Sequence, residues 1–283
     1  MAPIFAPFTA DGSLNLKVVK TYAAHLKKEG VAGVWVNGSV GEGMSLTVQE
    51  RKALAEAWLA CREDVPTVIV HCGAVCLKDA LELARHAEDH RASGVAVVPP
   101  LYDRPATTDD LVDYMQEVAK ACPRTPLFYY HYPSKTGVNL SMSEFLQKGV
   151  KRIPTLAGMK FTDEDVSDEG RKCVQVDGGS LTIFSGFDQD SAVGGWGETG
   201  VGLGGLERQS TLQEALSVGF SCSVNAGFNF VSHLGARVYS LMAAGDVHEA
   251  KKVQKQFNDC FDVILSPDVY ELTLMVPSPA VGL

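Results

Sequence analysis

Eight short β-rich runs alternate with helical patterns along the 283-residue chain, and this alternation constrains the fold more than any single motif. The runs are, in chain order, PIFAPF, GVWVNG, TVIVHCG, GVAVVPP, PLFYYHY, LAGMKF, LTIFSGF and FSCSVNA. Strands that alternate with helices form parallel sheets, and eight such repeats predict a (β/α)8 TIM barrel of the α/β class. An open doubly wound sheet is the alternative, but the first strand–turn, FAPFTADGS, lacks the glycine-rich phosphate fingerprint of that fold.

Amphipathic segments fill the intervals between the runs. The segment TTDDLVDYMQEVAKA is predicted to be helical because its apolar residues recur at helical spacing, namely Leu111, Tyr114, Met115, Val118 and Ala119. Capping boxes predict helix starts at Thr47, with Glu50, and at Ser141, with Glu144. Two more helical patterns follow the eighth run. We expect residues 1–245 to form the barrel domain and residues 246–283 to form a shortened C-terminal helical extension.

Composition and charge exclude some classes of function. The net charge of −9 argues against a nucleic-acid partner, which requires a basic surface, and leaves an anionic substrate to be attracted by local donors. No apolar stretch reaches 18 residues, so we predict no membrane partner. The start of the chain, MAPIFAPFTADG, lacks the layout of a signal peptide. Seven cysteines without a CxxC pair favour reduced thiols and a cytoplasmic location.

Lys160 points most directly to chemistry, because it interrupts the apolar run LAGMKF near its end. Desolvation disfavours a charged lysine on a buried strand unless the protein uses it. Strand alternation predicts that Leu156 and Gly158 share the inner face with Lys160. The outer, helix-facing side then receives Ala157, Met159 and Phe161. Since the catalytic groups of such barrels lie at the carboxyl ends of strands, we predict that Lys160 is a nucleophile that forms a Schiff base with a ketone.

Two further strand ends supply candidate groups. Tyr130 lies near the end of PLFYYHY and shares a face with Phe128 and Tyr132, and its phenol could move protons beside a carbinolamine. Aromatic packing is the competing interpretation for Tyr130. The second run ends in VNGSVGEG, whose glycines permit a tight turn with backbone N–H groups facing an anion such as a carboxylate. Glycine-containing turns are common after strands, so this motif alone is weak.

The motifs VNGSVGEG, YYHYPSKTG and GMKFTD together resemble the pyruvate-dependent class I aldolases, the family of N-acetylneuraminate lyase and dihydrodipicolinate synthase. The stretches WVNGSVGEGMSLTVQER, VIVHCGAVCLKDA and IPTLAGMKFTDED are most similar to the animal lyase branch. The resemblance runs from about residue 4 to about residue 189 and from about residue 211 to about residue 265. It implies reversible cleavage of the sialic acid N-acetylneuraminate to N-acetylmannosamine and pyruvate in a homotetramer. The imine would act as the electron sink, so neither a metal nor a cofactor is expected.

The resemblance also implies residue roles. Lys160 would form the imine, Tyr130 would transfer the proton, and Ser39 would hydrogen-bond Tyr130. The amides of Ser39 and Val40 would hold the pyruvyl carboxylate. The remaining substrate contacts would be Thr162, Gly186, Asp188, Gln189, Lys135 and Tyr102. Of these, Tyr102 would complete a proton relay across a subunit interface.

Several positions depart from the family pattern. Val40 replaces a hydroxyl residue, Gln189 replaces a glutamate, and Asn225 stands with Ala226 and Gly227 in place of a GST stretch. Lys135 stands where the lyase branch has an apolar residue and the synthase branch has an arginine. A different pyruvate-dependent aldolase or synthase of the same family therefore remains an alternative, and so does a non-catalytic barrel relative.

Three further features of the sequence are a histidine pair, a strand histidine and a glycine-rich segment. His86 and His90 are four residues apart on a predicted helix, but two ligands without a third are poor evidence for a metal, and we predict none. His131 shares the outward face with Tyr129 and is interpreted as a packing residue. The glycine-rich segment 190–210 has no family counterpart. One interpretation is a lid over the site, and the other is sequence that does not belong to the working enzyme. We favour the second, because TLQEALSVG resumes the helical pattern directly after the segment.

Overall fold

A single sheet of eight parallel strands, ordered along the chain, forms the centre of the molecule. The computed structural model describes residues 1–186 and 211–264. The strands are β1 (Ala2–Pro3), β2 (Gly33–Val36), β3 (Thr67–His71), β4 (Gly94–Val97), β5 (Leu127–His131), β6 (Leu156–Phe161), β7 (Thr182–Ser185) and β8 (Cys222–Ser223). Met1 connects the two edges of the sheet, because its ammonium donates to the Ser223 carbonyl at 2.8 Å and its carbonyl accepts from the Asn225 amide at 3.2 Å. The predicted (β/α)8 barrel is confirmed.

Helices follow the strands around the outside of the sheet. They are α1 (Val19–Lys28), α2 (Val48–Leu59), α3 (Leu77–Asp89), α4 (Thr108–Ala121), α5 (Pro133–Thr136), α6 (Met142–Arg152), α7 (Arg171–Gln175), α8 (Thr211–Val218), α9 (Ser232–Ala243) and α10 (Val247–Ile264). A π-helical turn, Val166–Gly170, precedes α7. No helix in the described part of the chain combines the length and the hydropathy that crossing a bilayer requires.

The capping predictions are confirmed at one helix and only half confirmed at another. Thr47 begins α2 with a full capping box to Glu50. Ser141 accepts the Glu144 amide at 3.3 Å, but the return bond is missing. The Glu144 carboxylate instead accepts from the Thr108 hydroxyl at 3.0 Å and pairs with Lys148. A full box that the sequence search missed joins Thr107 and Asp110 at the start of α4, because it uses Asp in place of Glu or Gln.

A β-bulge in β6 corrects the predicted faces of that strand. The pairing with β5 shifts between two successive partners, from Leu127 opposite Leu156 to Phe128 opposite Gly158. An extra residue in one strand reverses the facing of everything before it. Leu156 therefore packs in the outer core with the helices, and Ala157 packs against the inner cluster, which is the opposite of the prediction for both. Beyond the bulge, the predicted faces are confirmed, since Met159 is in the outer core.

The end of the described chain packs on the barrel. Phe257 of α10 is fully buried and contacts Phe228 edge-on, with ring centres 5.9 Å apart. Helix α10 shares the same outer core as the barrel helices. The division at residue 245 remains a prediction. The predicted insertion 190–210 and the end of the extension, 265–283, lie outside the described residues.

Candidate active site

Lys160 and Tyr130 face each other inside the barrel. Lys160 on β6 is in register with Tyr130 on β5 and with Phe184 on β7. The lysine is only 5% exposed, and its Nζ lies 3.3 Å from the Tyr130 hydroxyl oxygen. The same Nζ stands 4.5 Å from the centre of the Tyr130 ring and 5.6 Å from that of Trp35. The structure thus brings together a shielded primary amine and a phenol, the two groups that imine chemistry with proton transfer needs.

An aromatic cluster inside the barrel holds this pair in place. Trp35 contacts Tyr130 edge-on at 5.8 Å and Phe184 edge-on at 6.0 Å, and Tyr132 stacks on Tyr130 at 5.7 Å. Phe128 contacts Phe184 at 5.3 Å. Rings in these arrangements are well packed and limit side-chain movement. Trp35 was not singled out from the sequence, where a tryptophan on a buried strand is indistinguishable from ordinary core.

Ser39 reaches Tyr130 from the turn after β2. Its Oγ lies 3.4 Å from the Tyr130 hydroxyl, so Ser39, Tyr130 and Lys160 form a chain of polar groups. The turn is fixed by Asn37, which is buried with a positive φ of 61° and whose Nδ2 donates to the Arg51 carbonyl at 2.9 Å. Gly43 is required beside it, because a Cβ there would come within 1.9 Å of the Asn37 carbonyl oxygen.

The same turn presents unused donors. Among the described hydrogen bonds, the amides of Ser39 and Val40 donate to no acceptor. Successive free N–H groups in a turn form a concave site for an anion. The arrangement therefore suits a carboxylate placed next to the Lys160 amine.

Thr162 and Gly186 lie directly beside Lys160. Thr162 is buried, and its hydroxyl has no hydrogen-bond partner within the described chain. Gly186 approaches so closely that an added Cβ would come within 1.9 Å of the Thr162 Oγ1 and 2.8 Å of the Lys160 Cε. A hydroxyl without a partner in a buried site is a group that a bound substrate could satisfy.

The remaining predicted substrate contacts are either exposed or outside the described residues. Lys135 is exposed on α5, which begins two residues after β5 ends. Tyr102 is 86% exposed in the segment between β4 and α4, so within one chain it does not join the cluster. Asp188 and Gln189 lie outside the described residues.

His71 ends β3 inside the same cluster and was missed in the sequence, where it was one of several scattered histidines. Its ring meets the Tyr130 ring edge-on at 5.8 Å, and its Nδ1 lies 3.1 Å from the Asn37 carbonyl oxygen. That carbonyl can only accept, so Nδ1 carries the proton and Nε2 keeps a lone pair. Burial, together with the charge of Arg51, lowers the pKa of His71 from 6.5 to about 3. The imidazole is therefore neutral at physiological pH. Its position at a strand end was the available signal.

His131 faces away from this site, as predicted. It is buried, packs against Tyr129 and Phe161, and places its Nε2 3.2 Å from an Asp163 carboxylate oxygen. A surface cavity next to it lies outside the barrel and is lined by His131, Asn139, Leu140, Ser141, Asp163, Asp165 and Glu169. This cavity contains no residue of the Lys160 cluster, so we place the candidate active site inside the barrel.

Known proteins resemble the chain over most of its length. Residues 1–201 match the Dihydrodipicolinate synthetase family. N-acetylneuraminate lyase from Xenopus tropicalis is 36% identical over 256 residues, which cover 90% of this chain and 76% of that protein. The Homo sapiens enzyme of the same name is 36% identical over 249 residues, covering 83% of this chain and 78% of the relative.

Solved structures agree with these matches. N-acetylneuraminate lyase (sialic acid aldolase) from Aliivibrio salmonicida superposes with a TM-score of 0.78 at 31% identity, covering 89% of this chain and 77% of that one. The Proteus mirabilis lyase gives a TM-score of 0.78 at 32% identity, covering 89% and 78%. On the length of the family match and on the identity to these relatives, the chain belongs to the dihydrodipicolinate synthetase family.

Proposed function

We propose that this protein is a carbon–carbon lyase that reversibly cleaves N-acetylneuraminate to N-acetylmannosamine and pyruvate. The observation that carries the proposal is the buried Lys160 amine, 3.3 Å from the Tyr130 hydroxyl, at the carboxyl end of a barrel strand. The 36% identity to proteins named N-acetylneuraminate lyase supports the choice of substrate.

The proposed reaction uses the polar chain in order. The Lys160 Nζ attacks the keto carbon, and loss of water from the carbinolamine leaves a protonated imine. The Tyr130 phenol gives its proton to the hydroxide that leaves the carbinolamine, and the resulting phenolate then removes the proton from the substrate hydroxyl as the carbon–carbon bond breaks. The bond electrons flow into the imine to form an enamine. Protonation and hydrolysis then release pyruvate and restore the lysine. The imine is the electron sink, so this proposal assigns no metal or cofactor to the carbonyl.

Binding groups flank the reacting pair. The free amides of Ser39 and Val40 would hold the pyruvyl carboxylate, and the Ser39 hydroxyl would orient Tyr130 through the 3.4 Å contact. Thr162, whose buried hydroxyl has no partner in the described chain, would contact the sugar chain next to Gly186. Asp188 and Gln189 would extend this contact by family resemblance.

Reductive trapping tests the central step. Pyruvate with borohydride should leave a stable adduct on the peptide that contains Lys160, and Lys160→Arg should abolish it because a guanidinium does not form the imine. Lys135→Arg is the matched control, since Lys135 is an exposed lysine near the same strand ends. Undiminished trapping in Lys160→Arg, or trapping on another peptide, would overturn the mechanism and favour a non-catalytic barrel.

A second candidate is another pyruvate-dependent aldolase of the family, favoured by the exposed cation Lys135 in α5. A substrate with a second carboxylate could pair with Lys135. Lys135→Leu should leave N-acetylneuraminate cleavage largely intact if the first proposal holds. A large loss of activity in this variant, measured as pyruvate release, would indicate a doubly acidic substrate.

We also propose a homotetramer in the cytoplasm. The exposed Tyr102 supports association, because the relay that it would complete needs the ring to enter a neighbouring subunit's site. The seven free cysteines support a reducing compartment. Light scattering after size-exclusion chromatography tests the oligomer, and a monomeric mass with full activity would remove the role of Tyr102.

A further inference from the structure

Three metal-binding side chains meet on the outer surface, away from the Lys160 cluster. Glu56 is on α2, and His86 and His90 are on the neighbouring helix α3. One ligand atom from each lies within 4.8 Å of the other two. The sequence indicated only the histidine pair, four residues apart, and gave no third group. The fold supplies that group from a different helix.

The two imidazoles are oriented toward the carboxylate. His86 Nε2 lies 2.8 Å from the Glu56 Oε1, and His90 Nε2 lies 3.9 Å from the same oxygen. His90 Nδ1 is 2.9 Å from the His86 carbonyl oxygen, which can only accept. Nδ1 of His90 therefore carries the proton and Nε2 has its lone pair free. A backbone carbonyl that fixes the tautomer in this way is a common second partner of metal-binding histidines.

Charge and exposure suit a cation with water ligands. One oxygen of the Glu56 carboxylate faces both imidazoles. Of the neighbouring cations, Lys52 pairs with Glu82 and Arg62 donates to the His90 carbonyl. The His86 side chain is 12% exposed, while those of His90 and Glu56 are 44% and 53% exposed, which leaves one side open to solvent.

We propose that Glu56, His86 and His90 form a binding site for a divalent transition-metal ion of the class that prefers imidazole, with Zn²⁺ as the probe. Two imidazoles and one carboxylate are a common zinc ligand set, and water completes the tetrahedron. On binding, the proton that His86 shares with Glu56 moves to its Nδ1 as the Nε2 lone pair turns to the metal. The ion joins α2 to α3 and takes no part in imine chemistry.

Thermal unfolding with and without Zn²⁺ tests the site. The melting temperature should rise by roughly 5–10 °C when free Zn²⁺ is about 100 times its dissociation constant, and chelation should reverse the rise. Mg²⁺ should give no shift, because it prefers oxygen ligands. His90→Ala and Glu56→Gln should each weaken Zn²⁺ binding at least tenfold, as measured by calorimetry, which does not depend on a change in stability.

Matched controls distinguish this site from other zinc-binding groups. His248→Ala removes an exposed histidine on α10, and Cys76→Ser removes an exposed thiol; both should bind Zn²⁺ like the unaltered protein. Co²⁺ should give visible absorption bands that disappear in His90→Ala. Binding that survives the loss of His90 and Glu56 together, or that disappears with Cys76, overturns the proposal. The proposal is also overturned if no heat of binding is detected at roughly 100 µM Zn²⁺, which is the weakest dissociation constant expected of a useful site.

Discussion

Adding one methyl group at Gly186 should disable the site without unfolding the barrel. A Cβ at this position would lie 1.9 Å from the Thr162 Oγ1 and 2.8 Å from the Lys160 Cε. Carbon contacts are favourable only from about 3.5 Å, so Thr162 must move by roughly 1.5 Å and the Lys160 Cε by roughly 0.7 Å. Because Cε carries the reacting nitrogen, the nucleophile moves with it.

The expected loss follows from that displacement. A misplacement of about 1 Å in a reacting group costs roughly 10²-fold in rate, so Gly186→Ala should lower kcat by about that factor. Overpacking of this size costs about 1–3 kcal/mol, which a barrel core of this extent should tolerate. Pyruvate release, followed with lactate dehydrogenase and NADH, measures the rate, and urea unfolding measures the stability.

A second substitution separates crowding from other causes. Thr162→Ala removes the oxygen that makes the closest contact, so Gly186→Ala combined with Thr162→Ala should recover part of the lost imine trapping. The double variant should trap more pyruvate than Gly186→Ala, whereas Thr162→Ala alone should not raise trapping above that of the unaltered protein. Activity of Gly186→Ala within threefold of the unaltered protein would refute the reasoning, because it would mean that the lysine does not depend on its close neighbours.

Four further substitutions test separate parts of the structure. Tyr130→Phe should lower sugar cleavage by roughly 10²–10⁴-fold while borohydride still traps pyruvate; near-normal turnover would assign the proton to another group. Val40→Thr should lower the pyruvate KM, because it adds a hydrogen bond to a carboxylate worth about 0.5–1.5 kcal/mol or more; an unchanged KM would place the carboxylate elsewhere. The folded-state pKa of His71 is lowered from 6.5 to about 3, so below about pH 6.5 only the unfolded chain binds this proton. The contribution of His71 to the free energy of unfolding is therefore complete above that pH. It falls by up to about 1.4 kcal/mol per pH unit as the pH decreases toward 3. His71→Phe should flatten the slope of unfolding free energy between pH 6 and 5, and the exposed His248→Phe should not. Gly158→Ala should cost at least about 3 kcal/mol, since its φ is 145° and a Cβ would come within 1.9 Å of a β7 carbonyl oxygen; a normal urea midpoint would contradict this geometry.

Groups at strand ends were predictable from sequence. Lys160 and Tyr130 were identified because an amine and a phenol near the ends of successive apolar runs must meet at one end of a parallel barrel. The structure brings them within 3.3 Å of each other. The same rule would have found His71, had its place at the end of TVIVHCG been weighed with the others.

Contacts between elements distant in sequence could not be predicted in this way. The facing of Leu156 was wrong because a bulge depends on hydrogen-bond pairing with β5, which residue alternation does not encode. Glu144 was expected to close a capping box, but a hydroxyl and an amine from outside its own cap compete for its carboxylate. Glu56 joins the two histidines only because α2 packs beside α3.

The bulge in β6 also sets which way the strand faces on either side of Ala157. Leu156 and Lys160 are four positions apart, so regular alternation would place them on the same face. They face opposite sides because the extra residue at the bulge shifts the alternation by one position. Deleting Ala157 would remove the bulge and leave both parts of the strand in phase, with Leu156 still opposite Leu127 on the outer side and Lys160 still facing the lumen. A graft of residues 156–160 into another barrel should therefore either keep the bulge or omit Ala157, because a regular strand that retains Ala157 and faces Lys160 inward would turn Leu156 into the lumen.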